Sequence, residues 1–174
     1  MKKYILFLLL LPFTSLNATT IAVIDIEEII NKNKQYISAL NNIEINQEPY
    51  LSKFNEKEIY LDELLVEIEE SKVLLSNEEL NNKISTYNQE LNAFTKIIDN
   101  FNIHYENQII NIRKIIVDEI IILIEKYAKN NNIDLVLDST SYLIASNSIN
   151  ITNFINDELK NIDLELDFTN FEEN

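Results

Sequence analysis

The sequence predicts a mainly helical α+β protein, in which a long antiparallel coiled-coil hairpin is inserted between the strands of a small body. Three observations predict this fold: a heptad repeat in the middle of the chain, a capping signal that divides the repeat into two legs, and short β-branched runs on either side of it. We assign residues 19–30 and 110–161 to the body, residues 31–109 to the hairpin arm and residues 162–174 to an acidic tail.

Composition excludes several classes of protein. The chain has 174 residues and carries 14 Lys and Arg against 29 Asp and Glu, a formal charge of −15. Cysteine is absent, which excludes disulfides and thiolate metal sites, and glycine is absent, which excludes phosphate-binding glycine loops. Such acidity argues against binding to nucleic acid, whose backbone requires Lys and Arg.

The first 18 residues have the three-part layout of a secretory signal peptide. Lys2 and Lys3 precede ten apolar residues at 4–13, and small polar residues follow. Ten apolar residues are too few for a membrane-spanning helix, which needs about 20. We therefore expect cleavage between Ala18 and Thr19 and export to a bacterial periplasm. The alternative is an uncleaved anchor, which would make the protein a membrane-tethered coiled-coil scaffold of the cell envelope.

The mature chain opens with a predicted strand and helix. Residues 20–25 (TIAVID) are short, apolar and β-branched, as expected for a buried strand. Asp25 is placed to cap the following helix, with Glu28 in its first turn.

The middle of the chain predicts the hairpin. Seam positions recur at alternating spacings of three and four, and all of them are apolar except Glu58 and Lys72 in the first leg. Such a narrow seam buries against one partner helix. Ser76 and Glu79 form a capping-box pattern at the start of the second leg, so the legs fold back on each other. The predicted seam consists of Leu51, Phe54, Leu61, Leu65, Ile68, Leu75, Leu80, Ile84, Tyr87, Leu91, Phe94, Ile98, Phe101 and Tyr105.

The two predicted legs are similar in length, running from Glu28 to Leu75 and from the turn to about Lys129. Pro49 lies within the first leg, where proline removes a hydrogen bond and clashes with the preceding turn. We expect a kink or a break there and predict that Pro49 is the hinge of the arm.

The C-terminal half of the body is predicted to return to the first strand. Apolar residues from Ile109 to Ile124 fall on nearly every side of the second leg, which predicts a buried helix. Two further strands are predicted at 133–138 (IDLVLD) and 142–146 (YLIAS). A last helix follows at 153–160, with Thr152 as its cap.

Subunit association is predicted at the strands. The apolar runs of the first two strands are too short to form a stable sheet alone, so we expect them to join subunits. The predicted interface consists of Ile21, Val23, Ile24, Leu135, Val136 and Leu137.

No catalytic, metal or cofactor site is predicted. His104 is the only histidine and falls beside the seam, and the aspartates at the strand ends (Asp25, Asp134 and Asp138) are expected to cap and turn the chain. The acidic cluster at 62–70 lacks the pattern of a calcium loop and reads as a solvated helical face. The tail at 162–174, with five acids and no base, is predicted to be frayed, with an edge strand as the alternative.

The order of these segments resembles the Skp, or OmpH-like, family of periplasmic chaperones. Residues 21–25 resemble its first strand, and Ala128 followed by 133–138 resembles its second. Tyr142 and the Asn-Ile-Thr run at 150–152 match its later elements, so the resemblance extends to Asn161. It implies a homotrimer in which a small body joins three helical arms around a cavity. In that cavity, unfolded outer-membrane β-barrel proteins are held without ATP.

The charge of the arm departs from that family. Its best-known members are basic, whereas residues 51–109 contain five lysines against twelve acids. Lipopolysaccharide binding is therefore not carried over, and capture of acidic proteins is disfavoured because like charges slow encounter. A degraded hydrolase or ligand-binding module is a further alternative, which would need a deep pocket.

Overall fold

The computed structural model describes residues 18–172, so the predicted signal peptide lies outside the described residues except for Ala18. Within these residues there are two strands and four helices, with two short 3₁₀ turns at Ser139–Ser141 and Asn147–Ile149. In chain order the elements are β1 (Ile21–Ile24), α1 (Ile26–Lys32), α2 (Lys34–Ser71), α3 (Asn77–Asn131), β2 (Leu135–Asp138) and α4 (Thr152–Leu159).

The two strands of the body pair with each other although three helices separate them in sequence. β1 and β2 pair in parallel, with Ile21 opposite Leu135 and Ile24 opposite Asp138. A single bridge joins Val23 to Asn150 on the other side of β1. Because α1, α2 and α3 all lie between the paired strands in sequence, the predicted α+β fold with an inserted helical hairpin is confirmed.

The turn of the hairpin is fixed by the predicted capping box. The Ser76 side chain accepts a hydrogen bond from the backbone N–H of Glu79, and the Glu79 carboxylate accepts one from the N–H of Ser76 at 3.0 Å. The pKa of Glu79 is lowered, chiefly because the Ser76 hydroxyl also donates to its carboxylate at 2.7 Å and to a lesser extent because the Ser76 N–H does so. Without these partners the N–H groups of Ser76 and Glu79 would be unpaired at the start of α3. The capping-box pattern in the sequence therefore predicted the position of the turn correctly.

The first leg is interrupted at Asn33 and not at Pro49. Asn33 ends α1 by donating its N–H to the Ile30 carbonyl and starts α2 by accepting from the N–H of Tyr36. α2 then continues through Pro49, so the predicted break there is wrong. Pro49 lies on the exposed side of the helix, where water can satisfy the carbonyl that proline leaves unpaired.

Two predictions about the end of the body are also wrong. Residues 142–146 form no strand, and Leu143 and Ile144 are 100% and 92% exposed, because no strand of the described chain lies beside them to receive apolar side chains. Thr152 does not cap α4 but is its first residue, and its hydroxyl accepts from the N–H of Asp25 at 2.9 Å. Thr152 therefore ties α4 to the end of β1.

α3 is buried on one face within the body and not on all sides. Ile112, Ile116, Ile120 and Leu123 are buried at helical spacing against α1 and α4, as expected for a core stripe. The opposite face, including Ile110, Ile121 and Ile122, is exposed because the described chain has no further layer to cover it.

The tail is ordered, so the prediction that it is frayed is wrong for its described residues. We use "the tail" below for residues 162–172, which form no helix or strand and lie along the hairpin, with one tight turn where the N–H of Leu166 bonds the Leu164 carbonyl at 2.9 Å. Leu164 and Phe171 are buried there. The tail forms no strand, because side chains of the helices and not a sheet edge satisfy its backbone.

Candidate functional site

The acidic residues at the strand ends serve the backbone. Asp25 accepts from the N–H of Glu28 at 2.8 Å, and Asp134 accepts from the N–H of Thr20 at 2.7 Å. Asp138 accepts from the N–H groups of Ile26 and Thr140. Burial raises the pKa of Asp138, but the hydrogen bonds from Thr140, Ile26 and Ser139 together lower it below its ordinary value. Across residues 18–172, no three acidic or histidine side chains are grouped so that they could hold a metal ion.

The seam that joins the legs uses some of the predicted residues and not others. Buried members of the predicted set are Phe54, Leu61, Ile68, Phe94, Phe101 and Tyr105, and half-buried members are Leu75, Leu80, Ile84, Tyr87 and Ile98. Leu51, Leu65 and Leu91 are exposed by 53%, 41% and 36%. Their neighbours Leu64 and Glu90 are instead half-buried. The seam of the single chain is therefore rotated by one residue at these positions.

Aromatic rings carry the packing at the base of the arm. Phe54 makes edge contacts with Phe94 and Phe101, with ring centroids 5.9 and 5.0 Å apart. Tyr50 lies 5.7 Å from Phe101 by the same measure. Edge-to-face arrangements of this kind stabilise aromatic pairs beyond their buried area.

A shallow cleft of about 360 Å³ opens between the legs beside this aromatic packing. Its apolar side is formed by Phe54, Ala93, Phe94 and Ile97, and its charged rim includes Lys57 and Glu90. Lys57 pairs with Glu90 at 2.7 Å and lowers the pKa of that carboxyl, chiefly by hydrogen bonding.

Many large apolar side chains of the arm remain exposed. At the turn between the legs, Val73 and Leu74 are 91% and 85% exposed. The other exposed members lie along both legs and are Ile37, Ile45, Leu51, Ile59, Tyr60, Leu65, Val66, Leu91, Ile103 and Ile109. The arm therefore presents dispersed apolar contacts on an acidic helical surface.

The tail occupies a groove at the base of the arm, which sequence reasoning missed. The Gln35 side chain donates to the Ile162 carbonyl at 2.7 Å and accepts from the N–H of Leu164 at 2.9 Å. At the far end, the Tyr50 hydroxyl donates to the Phe171 carbonyl at 2.7 Å, and His104 Nε2 lies 2.8 Å from the Thr169 carbonyl. The alternation of apolar and acidic residues after Ile162 was the signal that could have revealed this segment.

The residues predicted to join subunits are divided between the chain's own core and its surface. Val23 and Ile24 are buried within the single chain, whereas Ile21 and Leu135, which are register partners, are 38% and 44% exposed. Val136 and Leu137 are half-buried. Other exposed apolar residues of the body are Ile110, Ile121, Ile122, Leu143, Ile144 and Phe154.

Comparison with known proteins identifies relatives of this fold. The family model described as "Outer membrane protein (OmpH-like)" matches residues 20–159. Among solved structures, the chain is similar to a candidate outer membrane chaperone (OmpH-like) from Caulobacter crescentus CB15, with a TM-score of 0.61 and 10% sequence identity. The match covers 83% of this chain and 85% of that one. No curated protein gives a significant match. None of the helices within residues 18–172 is both long enough and apolar enough to cross a membrane.

Proposed function

The chain belongs to the OmpH-like outer membrane protein family, and from this premise we propose that it is a periplasmic holdase for unfolded outer-membrane β-barrel proteins. The observation that carries the proposal is the arm itself. It is a long two-helix limb whose surface combines exposed apolar side chains, such as Val66 and Leu74, with many charges. A surface of this kind offers many weak contacts in place of one specific pocket.

A holdase built in this way works by avidity. Each exposed apolar side chain contributes a weak contact, and tethering many of them to one frame raises their effective concentration around a bound chain. Such a mechanism needs no catalytic group, and we propose that the protein is not an enzyme. Release needs no nucleotide, because a β-barrel that folds in the outer membrane is stabilised more than it was in the chaperone.

The proposed active form is a homotrimer whose three arms enclose a cavity. β2 is paired along one edge only within the described chain, and Leu143 and Ile144, which follow it in sequence, are almost fully exposed. An open strand edge with unpaired backbone groups is ready to pair with another chain. We therefore place the subunit contact at this edge, together with Ile21 and Leu135.

The charge of the arm restricts the proposed clients. Residues 51–109 have five lysines against twelve acids, so the arm repels acidic chains during encounter. We do not propose binding to lipopolysaccharide, which is itself anionic. Among unfolded β-barrel proteins, we expect those that carry little net negative charge to be captured faster than strongly acidic ones.

The test is a mass measurement of the native assembly with and without an unfolded β-barrel protein. The expected result is a species of three chains that gains one client and keeps the client from aggregating. A soluble globular protein unfolded in the same way, but without β-barrel sequence, serves as the comparison for selectivity. A mass that stays at one chain, or a trimer that leaves β-barrel aggregation unchanged, would contradict the proposal.

A further inference from the structure

The tail is held largely through its backbone. Gln35 bonds both the carbonyl of Ile162 and the N–H of Leu164, as a neighbouring strand would. Tyr50 donates to the Phe171 carbonyl, and the hydroxyl of Tyr105 lies 3.4 Å from the N–H of Phe171. Backbone groups are common to all sequences, so these contacts do not depend on which extended segment occupies the groove.

The side chains of the tail alternate between the groove and solvent. Leu164 is buried, and Ile162, Leu166 and Phe168 pack against the same core. The acidic residues Asp163, Glu165 and Asp167 between them are exposed. From position 162 to 168 the groove therefore holds an apolar residue at every second position, and Phe171 follows three positions later. Alternation of apolar and polar residues is also the pattern of a transmembrane β-strand of about ten residues.

Phe171 fills an aromatic pocket at the end of the groove. Its ring lies 5.6 Å from Tyr50 and 5.4 Å from Phe101, both in edge contact. His104 contacts the same ring at 5.8 Å. These contacts provide an anchor for one aromatic side chain, next to a site for an extended backbone.

We propose that this groove is a binding site for one extended, alternating segment of an unfolded β-barrel protein, and that the tail is its intramolecular competitor. The inference rests on the proposed function for the identity of the partner, while the groove itself rests on the contacts of the tail. The tail fills the groove in the free protein and leaves it when a client segment with an aromatic anchor takes its place. Because the acidic side chains face solvent, a client segment needs the alternation and the aromatic residue but not the charges.

The experiment uses the full mature chain and a fluorescent peptide with the sequence of residues 162–172. Phe171→Ala in the protein weakens its own tail, so it should bind the peptide at least about tenfold more tightly than the wild type does, since a buried phenyl ring is lost from the competitor. Leu164→Ala weakens the tail elsewhere and should act in the same direction. Phe154→Ala, which removes an exposed ring of α4, is the matched control and should leave the affinity unchanged.

Two further measurements locate the binding site and distinguish a failure of this inference from a failure of the proposed function. Adding Gln35→Ala to the Phe171→Ala protein should reduce peptide affinity, and a peptide that carries Phe171→Ala should bind weakly to every protein. Equal peptide affinity in the wild type and both tail variants, or no binding by any of them, would overturn the inference and leave the tail as a structural strap. If the wild type still prevents aggregation of a β-barrel protein in that case, the proposed function stands. If the wild type does not prevent aggregation of the β-barrel protein but the peptide binds as expected, the proposed function is contradicted and the groove is still a peptide-binding site.

Discussion

The ammonium group of Lys57 lies 2.7 Å from the carboxylate of Glu90, across the seam between α2 and α3. A second ion pair, between Lys83 and Glu67, joins the legs nearer to the turn. Together with the contact between Phe54 and Phe94, these pairs fix the antiparallel register of the hairpin. An acidic arm therefore uses its few lysines to hold its two legs in place.

Removing the pair between Lys57 and Glu90 should weaken the hairpin slightly. Both side chains are partly exposed, so Glu90→Gln should cause a small loss of stability that disappears at high salt. The pKa of Glu90 is lowered, so its contribution is complete above the ordinary value of 4.5 and is lost as pH falls through the lowered pKa. Thermal unfolding of Glu90→Gln against pH and salt checks this. Asp118→Asn is the control, because it breaks the pair with Lys114 within α3 and leaves the contacts between the two legs unchanged. An equal loss at high and low salt would contradict the prediction.

The sequence predicted the hairpin well but not the rotation of its seam. The capping box at Ser76 is a local signal, and it located the turn correctly. At positions 64 and 65 both residues are leucine, so periodicity alone cannot choose between them. Lys57 and Glu90 are half-buried between the legs, and their pairing makes two charged positions compatible with the seam, which an apolar periodicity does not reveal.

The alternation in the tail marks one apolar side, but the groove that receives this side could not be predicted from sequence because its residues are distant along the chain. Gln35 and Leu164 are separated by 129 positions, and neither residue type predicts this contact. An acidic composition near a chain end normally indicates fraying. In this chain the apolar residues of the tail, above all Phe171, pack against the hairpin and hold the segment in place despite its acidic residues.

Asn132 ends α3 and takes the role that glycine usually has. Among the described residues it alone has a positive φ, 51°, and its N–H bonds the Ala128 carbonyl. The chain contains no glycine, and asparagine tolerates the left-handed region better than most other residues. Asn132→Ala should lower the free energy of unfolding by about 1 kcal/mol, whereas Asn132→Gly should leave it equal or higher. Urea unfolding of both variants tests this, and an equal loss in both would point to side-chain contacts of Asn132 instead.

Asp138 should make the body sensitive to acid. Its carboxylate accepts hydrogen bonds from Ile26 and Thr140, and its pKa is lowered from the ordinary value of 3.8. The contribution of the charged form is therefore complete above pH 3.8 and is lost as pH falls through the lowered pKa. Asp138→Asn should reduce stability at pH 7 and should flatten the loss of stability below pH 3.8. Unfolding curves between pH 2 and 7 measure both effects, and parallel curves for the variant and the wild type would contradict the role of Asp138.

The exposed residues of the body give the sharpest test of subunit association. A charge at Val23 or Ile24 would unfold the single chain, because both side chains are buried in its own core. Leu143 and Ile144 are almost fully exposed, so Leu143→Asp with Ile144→Asp should leave the fold intact and release monomers in sedimentation. Leu74→Asp, at the distant turn of the arm, is the matched control and should keep the assembly of the wild type. If the proposed trimer persisted in the double variant, the subunit contact would lie outside this loop, and Val136→Asp would then test whether β2 itself forms the contact.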